Sequence, residues 1–309
     1  MSLDDWILAL HVLSAFAFVA GVVLFWILIF SVRRADRPED TLRVGPIAKV
    51  GNGAVGVGAT GTIVLGIWLA ISRDEYQVWD GWVIAAIVLW VLAAETGRRT
   101  GDEYTKGAQK AEELQSSGET APSAELRALN RTSIGVLLHG LTTALVLLLL
   151  VDMIWKPGVS ALASIRPDDW SFPLFLHVLG AMLLVGATLA GASALAFARG
   201  NERMLRLGYR TLLAVGLPSY VLMWAAAHWI YSKEGLDDSP IDSAWVGIGF
   251  AVAEVGAVLF VAALIVGGLG VRRLRDGRGE GLLKATLMLS LVLLAGLVVA
   301  AWAMAGKPD

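Results

Sequence analysis

Long runs of apolar residues, each bounded by charged or turn-forming residues, dominate this chain of 309 residues. A helix needs roughly 20 residues to cross the hydrocarbon core of a bilayer, and eight of the runs are long enough. Runs this uniformly apolar lack the alternation of membrane-barrel strands, so each run predicts a helix. The predicted spans are 6–32, 46–72, 78–97, 133–155, 170–198, 210–231, 243–270 and 282–305.

Two of these runs open with the same phrase. Residues 10–21 read LHVLSAFAFVAG and residues 176–187 read LHVLGAMLLVGA, so six of the twelve positions are identical, including the histidine. Asp-Asp-Trp precedes both copies, and an arginine follows both apolar runs at the same offset (Arg33 and Arg199). The pattern predicts a duplicated unit.

Other matches extend the duplication to the ends of the halves. Trp-Lys-Pro-Gly at 155–158 closes the first half, Gly-Lys-Pro-Asp at 306–309 closes the second, and the Trp-Val pair at 82–83 recurs at 245–246. Each half has four spans, and an even number gives both halves the same orientation, so the repeats are expected to be parallel.

The predicted fold class is therefore an all-α integral membrane protein, with eight transmembrane helices arranged as two parallel four-helix repeats. The first repeat is 1–156 and the second is 157–309. The first contains a long segment, 98–132, which is expected to be a solvated cytoplasmic connector. Short surface helices such as 106–114 are compatible with it, with a break at 116–118.

Composition agrees with the membrane class and excludes several chemistries. The chain is 56% hydrophobic and 17% charged, with a mean hydropathy of +0.67, which is outside the soluble range. The absence of cysteine excludes disulfides, thiolate metal sites and thiol catalysis. A net charge of −2 gives no indication of nucleic acid binding. The first apolar run is as long as a full span and has no basic flank before it, so it is not expected to be a cleaved signal.

The distribution of basic residues predicts the topology. Of the 25 lysines and arginines, 20 lie at or between the ends of spans that face one side, and the positive-inside rule makes that side cytoplasmic. Both termini are then expected on the outer side of a cell membrane, such as a bacterial inner membrane. The outer side is rich in acidic residues and carries most of the tryptophans, as an interfacial belt does.

The four histidines all lie in predicted spans, where an ionisable group is costly unless it has a partner. His11 and His177 lie about two turns inside the outer boundary, and His228 lies one turn from the outer end of its span. A neutral imidazole binds haem iron, copper or zinc. His177 with His228, or His11 with His177, are the candidate pairs for a b-type haem, and His11 with His177 the candidates for a metal ion. The alternative is that each histidine hydrogen-bonds a neighbouring helix.

Glu254 is the other notable ionisable group, because it lies about one third of the way through the seventh span. A proton relay or cation site uses such a carboxyl group, but a neutral, hydrogen-bonded acid between helices is an equally good interpretation. In the second span, Ala54, Gly58, Thr62 and Gly66 share one face at four-residue spacing. This face predicts close helix packing or, alternatively, a smooth wall for a flat cofactor such as a porphyrin.

The Leu-His-Val-Leu phrase, followed by Ala and then by Val with Ala-Gly or Gly-Ala, resembles the opening span of bacterial four-span membrane proteins related to the copper-resistance D family. An uncharacterised integral-membrane family close to that family is similar. The resemblance covers the first span of each half. It implies that the first-span histidine, here His11 and His177, contacts a metal or a haem.

Three functions are compatible with these features. The first is a haem-binding membrane protein that transfers electrons, with a quinone or a redox partner protein as its partner, through His11, His177 and His228. The second is a transporter or channel for a small solute or metal ion, whose site between the halves is lined by Glu254 and the histidines. The third is a non-catalytic membrane subunit that anchors another protein. Whether the chain is an enzyme is left open.

Overall fold

The computed structural model describes residues 1–73, 77–157, 168–233, 235 and 243–308, and within them it is helical without a strand. The prediction of eight helices long and apolar enough to cross a membrane is confirmed for this part of the chain. The helices are α1 Leu3–Val32, α2 Pro38–Leu42, α3 Gly45–Ser72, α4 Gly81–Ser116, α5 Ala124–Asn130, α6 Ser133–Trp155, α7 Ser171–Ala196, α8 Glu202–Thr211, α9 Leu217–Lys233, α10 Ala244–Arg273 and α11 Glu280–Gly306.

The first helices of the two halves, α1 and α7, pack against each other and are the two most buried spanning helices. α3 packs along α1, and α8 and α9 pack along α7. The pairs α4–α6 and α10–α11 lie outside them, and α11 also contacts both α1 and α7. The main core contains fully buried aliphatic side chains such as Leu24 and Leu184 from the central pair.

Small residues allow the closest of these contacts. A Cβ atom on Gly58 of α3 would collide with the backbone of Phe18 on α1. A Cβ atom on Gly180 of α7 would lie 2.7 Å from the backbone nitrogen of Met223 on α9. The glycine face of the second span therefore packs against α1 at Gly58, as small-residue interfaces in membranes do.

The segment 98–132 has the helix over 106–114 and the break at 116–118 that the sequence predicts, and most of it is exposed, but its helix is a continuation of the third span and part of it is packed. α4 continues to Ser116, supported by ion pairs one turn apart such as Arg99–Glu95 (2.7 Å), and the chain turns at Gly118, where φ is +79°. α5 then folds back, and Leu126 is fully buried with Ala111 of α4. The sequence is polar enough to look solvated, but its few aliphatic residues are spaced to bury one face.

The predicted sixth span, 210–231, is interrupted by a wide turn at Leu212–Gly216. The N–H of Leu217 bonds the carbonyl of Leu212, five residues back, instead of four. Pro218 follows directly and has no N–H for the carbonyl four residues earlier, which explains why the regular helix cannot continue through this point.

Candidate functional site: a histidine-lined cavity

A cavity of about 920 Å³ lies at one end of the bundle, between all eight spanning helices. We call this end the outer end, following the topology that the basic residues predict. Aliphatic and aromatic side chains make up most of its wall. The lining residues fall within 8–19, 62–73, 82–90, 146–156, 170–185, 223–231, 245–253 and 297–307. Its volume is within the range of about 300–1,000 Å³ typical of cofactor and ligand pockets.

His11, on α1, is a half-buried residue of this wall. Its ring lies against Gly66 of α3, where a Cβ atom would come within 3.0 Å of the ring carbon Cε1. The ring nitrogen Nδ1 is buried and makes no hydrogen bond of normal geometry to a described residue, although the backbone of Thr62 on α3 lies beside the imidazole as a weaker partner. A buried imidazole nitrogen without a well-formed hydrogen bond is costly, so the site has a poorly satisfied polar atom at the cavity.

His177, on α7, lines the same cavity, and its Nδ1 lies 3.1 Å from the carbonyl oxygen of Met223 on α9. Because a carbonyl only accepts hydrogen bonds, Nδ1 carries the hydrogen. In the neutral ring, Nε2 then has the free lone pair. Metal-binding histidines are commonly oriented by this type of Nδ1–H to carbonyl bond.

His228, on α9, is the third histidine of the wall and is exposed. Its Nδ1 lies 3.0 Å from the carbonyl oxygen of Trp224, one turn earlier, which again leaves Nε2 as the acceptor. The ring centroid is 4.0 Å from that of Trp224 and 6.1 Å from that of Phe250 on α10. Aromatic side chains therefore fix the ring at the edge of the cavity.

The fourth histidine, His139, is buried elsewhere. Its Nε2 lies 3.1 Å from the carbonyl oxygen of Val22, and its ring packs edge-on against Trp26 with centroids 4.7 Å apart. It does not line the cavity. The structure thus gathers His11, His177 and His228 at one cavity and separates His139 from them.

Glu254 is not brought to the histidines. It lies on an exposed part of α10, whereas its neighbours Val252 and Ala253 line the cavity. Among the described residues, no group of three or more histidine, aspartate or glutamate side chains is close enough to hold a metal ion. A bare metal ion on His11 and His177 therefore finds no further protein ligand of these types in the described part of the chain.

The wall also contains charged residues that were not singled out as candidates from the sequence: Arg73, Lys156 and Lys307. Lys156 Nζ lies 5.2 Å from the ring centroid of Trp82, and Lys307 Nζ lies 5.1 Å from that of Trp245. The sequence contains a sign of the two lysine–tryptophan pairs. Both lysines belong to the Lys-Pro ends, and both tryptophans belong to the Trp-Val pairs, that repeat between the halves.

The arrangement defines a class: eight apolar helices that fit a multi-pass membrane protein, with a ligand-sized, histidine-lined cavity at one end. Comparison with protein-family models, with curated proteins and with solved structures finds no match. The resemblance of the Leu-His-Val-Leu phrase to the copper-resistance D family thus stays an expectation.

Proposed function

We propose that this protein binds a b-type haem in the outer cavity and transfers electrons across or along the membrane, with a quinone or a redox partner protein as its partner. One observation carries the proposal: three histidines from three helices line a single, mostly apolar cavity large enough for a cofactor. When bound, a haem supplies one-electron redox chemistry, and the protein tunes it through its ligands and surroundings.

The residues fit such a group in two respects. The Nδ1 hydrogen bonds of His177 and His228 leave Nε2 of each neutral ring as a donor to iron, and those bonds restrict the ring orientations. The mostly apolar wall favours a flat hydrophobic macrocycle. The poorly satisfied Nδ1 of His11 is a third possible contact.

The duplication supports the same proposal. The central helices α1 and α7 carry the repeated histidine; α3 packs along α1, and α8 and α9 pack along α7, as a duplicated unit would arrange them. Two parallel four-helix repeats, 1–156 and 157–309, with both termini outside, would place His11 and His177 at similar depth. The cavity is lined by helices from both halves of the chain.

An absorbance spectrum of the purified protein tests the proposal. We expect a Soret band and a reduced-minus-oxidised difference spectrum of b type, with the haem content measured after extraction. His177 belongs to both candidate ligand pairs, so His177→Ala should lose the haem. Either His228→Ala or His11→Ala should lose it as well, which identifies the second ligand.

His139→Ala is the matched control, because His139 is equally a histidine in a span but lies away from the cavity. This variant should retain the haem. A purified wild-type protein without haem, after expression with a haem precursor, would refute the proposal. Retention of haem by all three cavity variants would refute the ligand assignment.

A transporter or channel is the second candidate, because the cavity is lined by spanning helices of both halves. Glu254 does not contribute to this wall, so the carboxyl group expected at such a site is missing from it. Absence of haem together with solute uptake into vesicles would favour this function. The role of a non-catalytic anchor subunit stays an expectation from the sequence.

A further inference from the structure

The basic residues of the outer side are few, and most of the described ones line the cavity. The predicted topology leaves five lysines and arginines on that side: Arg73, Lys156, Arg166, Lys233 and Lys307. Arg166 lies outside the described residues. Lys233 bonds Asp169 at 2.9 Å and is not in the cavity wall, whereas the other three are.

Lys156 and Lys307 have the same local structure in the two halves. Each is the residue that ends a spanning helix, with left-handed backbone angles of φ 43° and ψ 64° for Lys156 and φ 45° and ψ 60° for Lys307. In each, the backbone N–H bonds the carbonyl four residues earlier at 2.8 Å. A non-glycine residue with positive φ is uncommon, and here it recurs at corresponding positions.

A tryptophan holds each ammonium group. The side chain of Lys156 extends over Trp82 and that of Lys307 over Trp245. The two Nζ atoms lie 5.2 and 5.1 Å from the ring centroids, which is within the range of a cation–π interaction. Trp82 and Trp245 themselves line the cavity. Both cations are therefore fixed at its mostly apolar wall.

This combination has a chemical consequence. The wall includes three cations, Lys156, Lys307 and Arg73, and Arg73 also interacts with the carboxylate of Asp5 on α1. A cation beside an apolar cavity attracts an anionic group whose apolar part enters that cavity, and a charge-assisted hydrogen bond forms most strongly where water is scarce.

We propose that Lys156 and Lys307, assisted by Arg73, bind the carboxylate groups of an amphiphilic ligand whose apolar body fills the cavity. This inference rests on the cavity being the ligand site of the proposed function, but not on the ligand being a haem. The carboxylates have two possible sources, the propionates of a porphyrin or the head group of a fatty-acid-type lipid.

The test compares acids with their neutral esters, using the full-length protein in nanodiscs of neutral lipid. A nitroxide-labelled stearic acid and its methyl ester report the lipid arm by quenching tryptophan fluorescence. Haemin and its dimethyl ester report the porphyrin arm by absorbance titration. In at least one arm, the acid should bind about tenfold more tightly than the ester, the effect of roughly one charge-assisted hydrogen bond.

The variants assign that preference to the lysines. Lys156→Gln combined with Lys307→Gln should remove the preference for the acid and leave ester binding unchanged. Lys156→Arg with Lys307→Arg should restore it, which separates lost charge from lost folding. Lys233→Gln is the matched control on the same side, and it should behave as wild type because Lys233 is outside the wall.

The outcomes separate this inference from the haem proposal. A preference for the fatty acid without porphyrin binding supports the lysine site and refutes the haem. A preference for haemin alone supports both. Equal binding of acid and ester in both arms overturns the lysine site even if haem binds, and so does a preference that survives the double glutamine variant.

Discussion

The imidazole of His177 on α7 and the backbone of Met223 on α9 are joined by a hydrogen bond of 3.1 Å. The two helices approach closely here, because Gly180, one turn after His177, has no side chain to separate them. The orientation of His177, a candidate haem ligand, therefore depends on a glycine whose own side chain cannot bind anything.

The first prediction follows from this dependence. In Gly180→Ala, the added Cβ would lie 2.7 Å from the Met223 nitrogen and 2.9 Å from its Cα, so α9 must shift. We expect a loss of about 1–3 kcal/mol of stability, typical of overpacking, and weaker ligand binding at His177. Thermal unfolding in detergent and the ligand titration measure the two effects.

Gly140→Ala on α6 is the control for this prediction, since a Cβ there has no described neighbour within 4 Å. Alanine is favoured over glycine inside a helix by up to about 1 kcal/mol, so this variant should be neutral or stabilised. Equal stability of the two variants would contradict the close contact at Gly180.

The second prediction concerns topology. A periplasmic reporter fused after the last residue should be active, and one inserted at 117–123, in the turn between α4 and α5, should be inactive. A cytoplasmic reporter should give the opposite pattern. An active cytoplasmic reporter at the C-terminus would contradict the assignment of the outer end, and with it the location of the cavity.

The sequence predicts the spanning helices well, because their length and apolar composition are set by the bilayer and need no tertiary information. The ends of α1, α3 and α6 lie within three residues of the predicted spans. The cavity was not predictable in this way. The cavity depends on which helices pack together. The apolar runs are similar on all faces, so they do not show which face of a helix contacts which neighbour.

The candidate site was predictable in part for the same reason. The repeat singled out His11 and His177, and depth along the helix singled out His228, but neither showed that all three share a wall with Lys156 and Lys307. The lysines were recognised as marks of duplication, and only their position above the tryptophan rings shows them as possible ligand contacts.

The third prediction concerns the cap formed by α2, α4 and α5. Asn130 of α5 is buried, and its amide nitrogen donates to Thr41 Oγ1 at 2.9 Å and to the Ala35 carbonyl at 3.2 Å. Asn130→Leu leaves both acceptors without this donor, so we expect a loss of about 1–3 kcal/mol of stability. Faster proteolysis between α4 and α5, measured in membranes, should accompany it.

The matched control for Asn130→Leu is Asn52→Leu on α3, where the asparagine is exposed. This variant should not lower the unfolding temperature and should retain the wild-type proteolysis rate. If Asn130→Leu is as stable as the wild type, the hydrogen bonds do not hold the cap, and the solvated connector expected from the sequence would be the better description.

The fourth prediction concerns Glu254, which is exposed on α10 on the same helix face as Val258, Val261 and Ile265. That face is the one an apolar helix presents to lipid, and a carboxyl group there is costly, on the order of 1–3 kcal/mol. Glu254→Leu should therefore maintain or raise the unfolding temperature in nanodiscs and leave ligand binding in the cavity unchanged. His177→Ala should instead weaken ligand binding, because His177 is part of the wall.

If both Glu254→Leu and the isosteric Glu254→Gln abolish ligand binding or solute uptake, Glu254 acts as the proton or ion relay that its position in the sequence suggested. The transporter function would then be favoured over the haem protein.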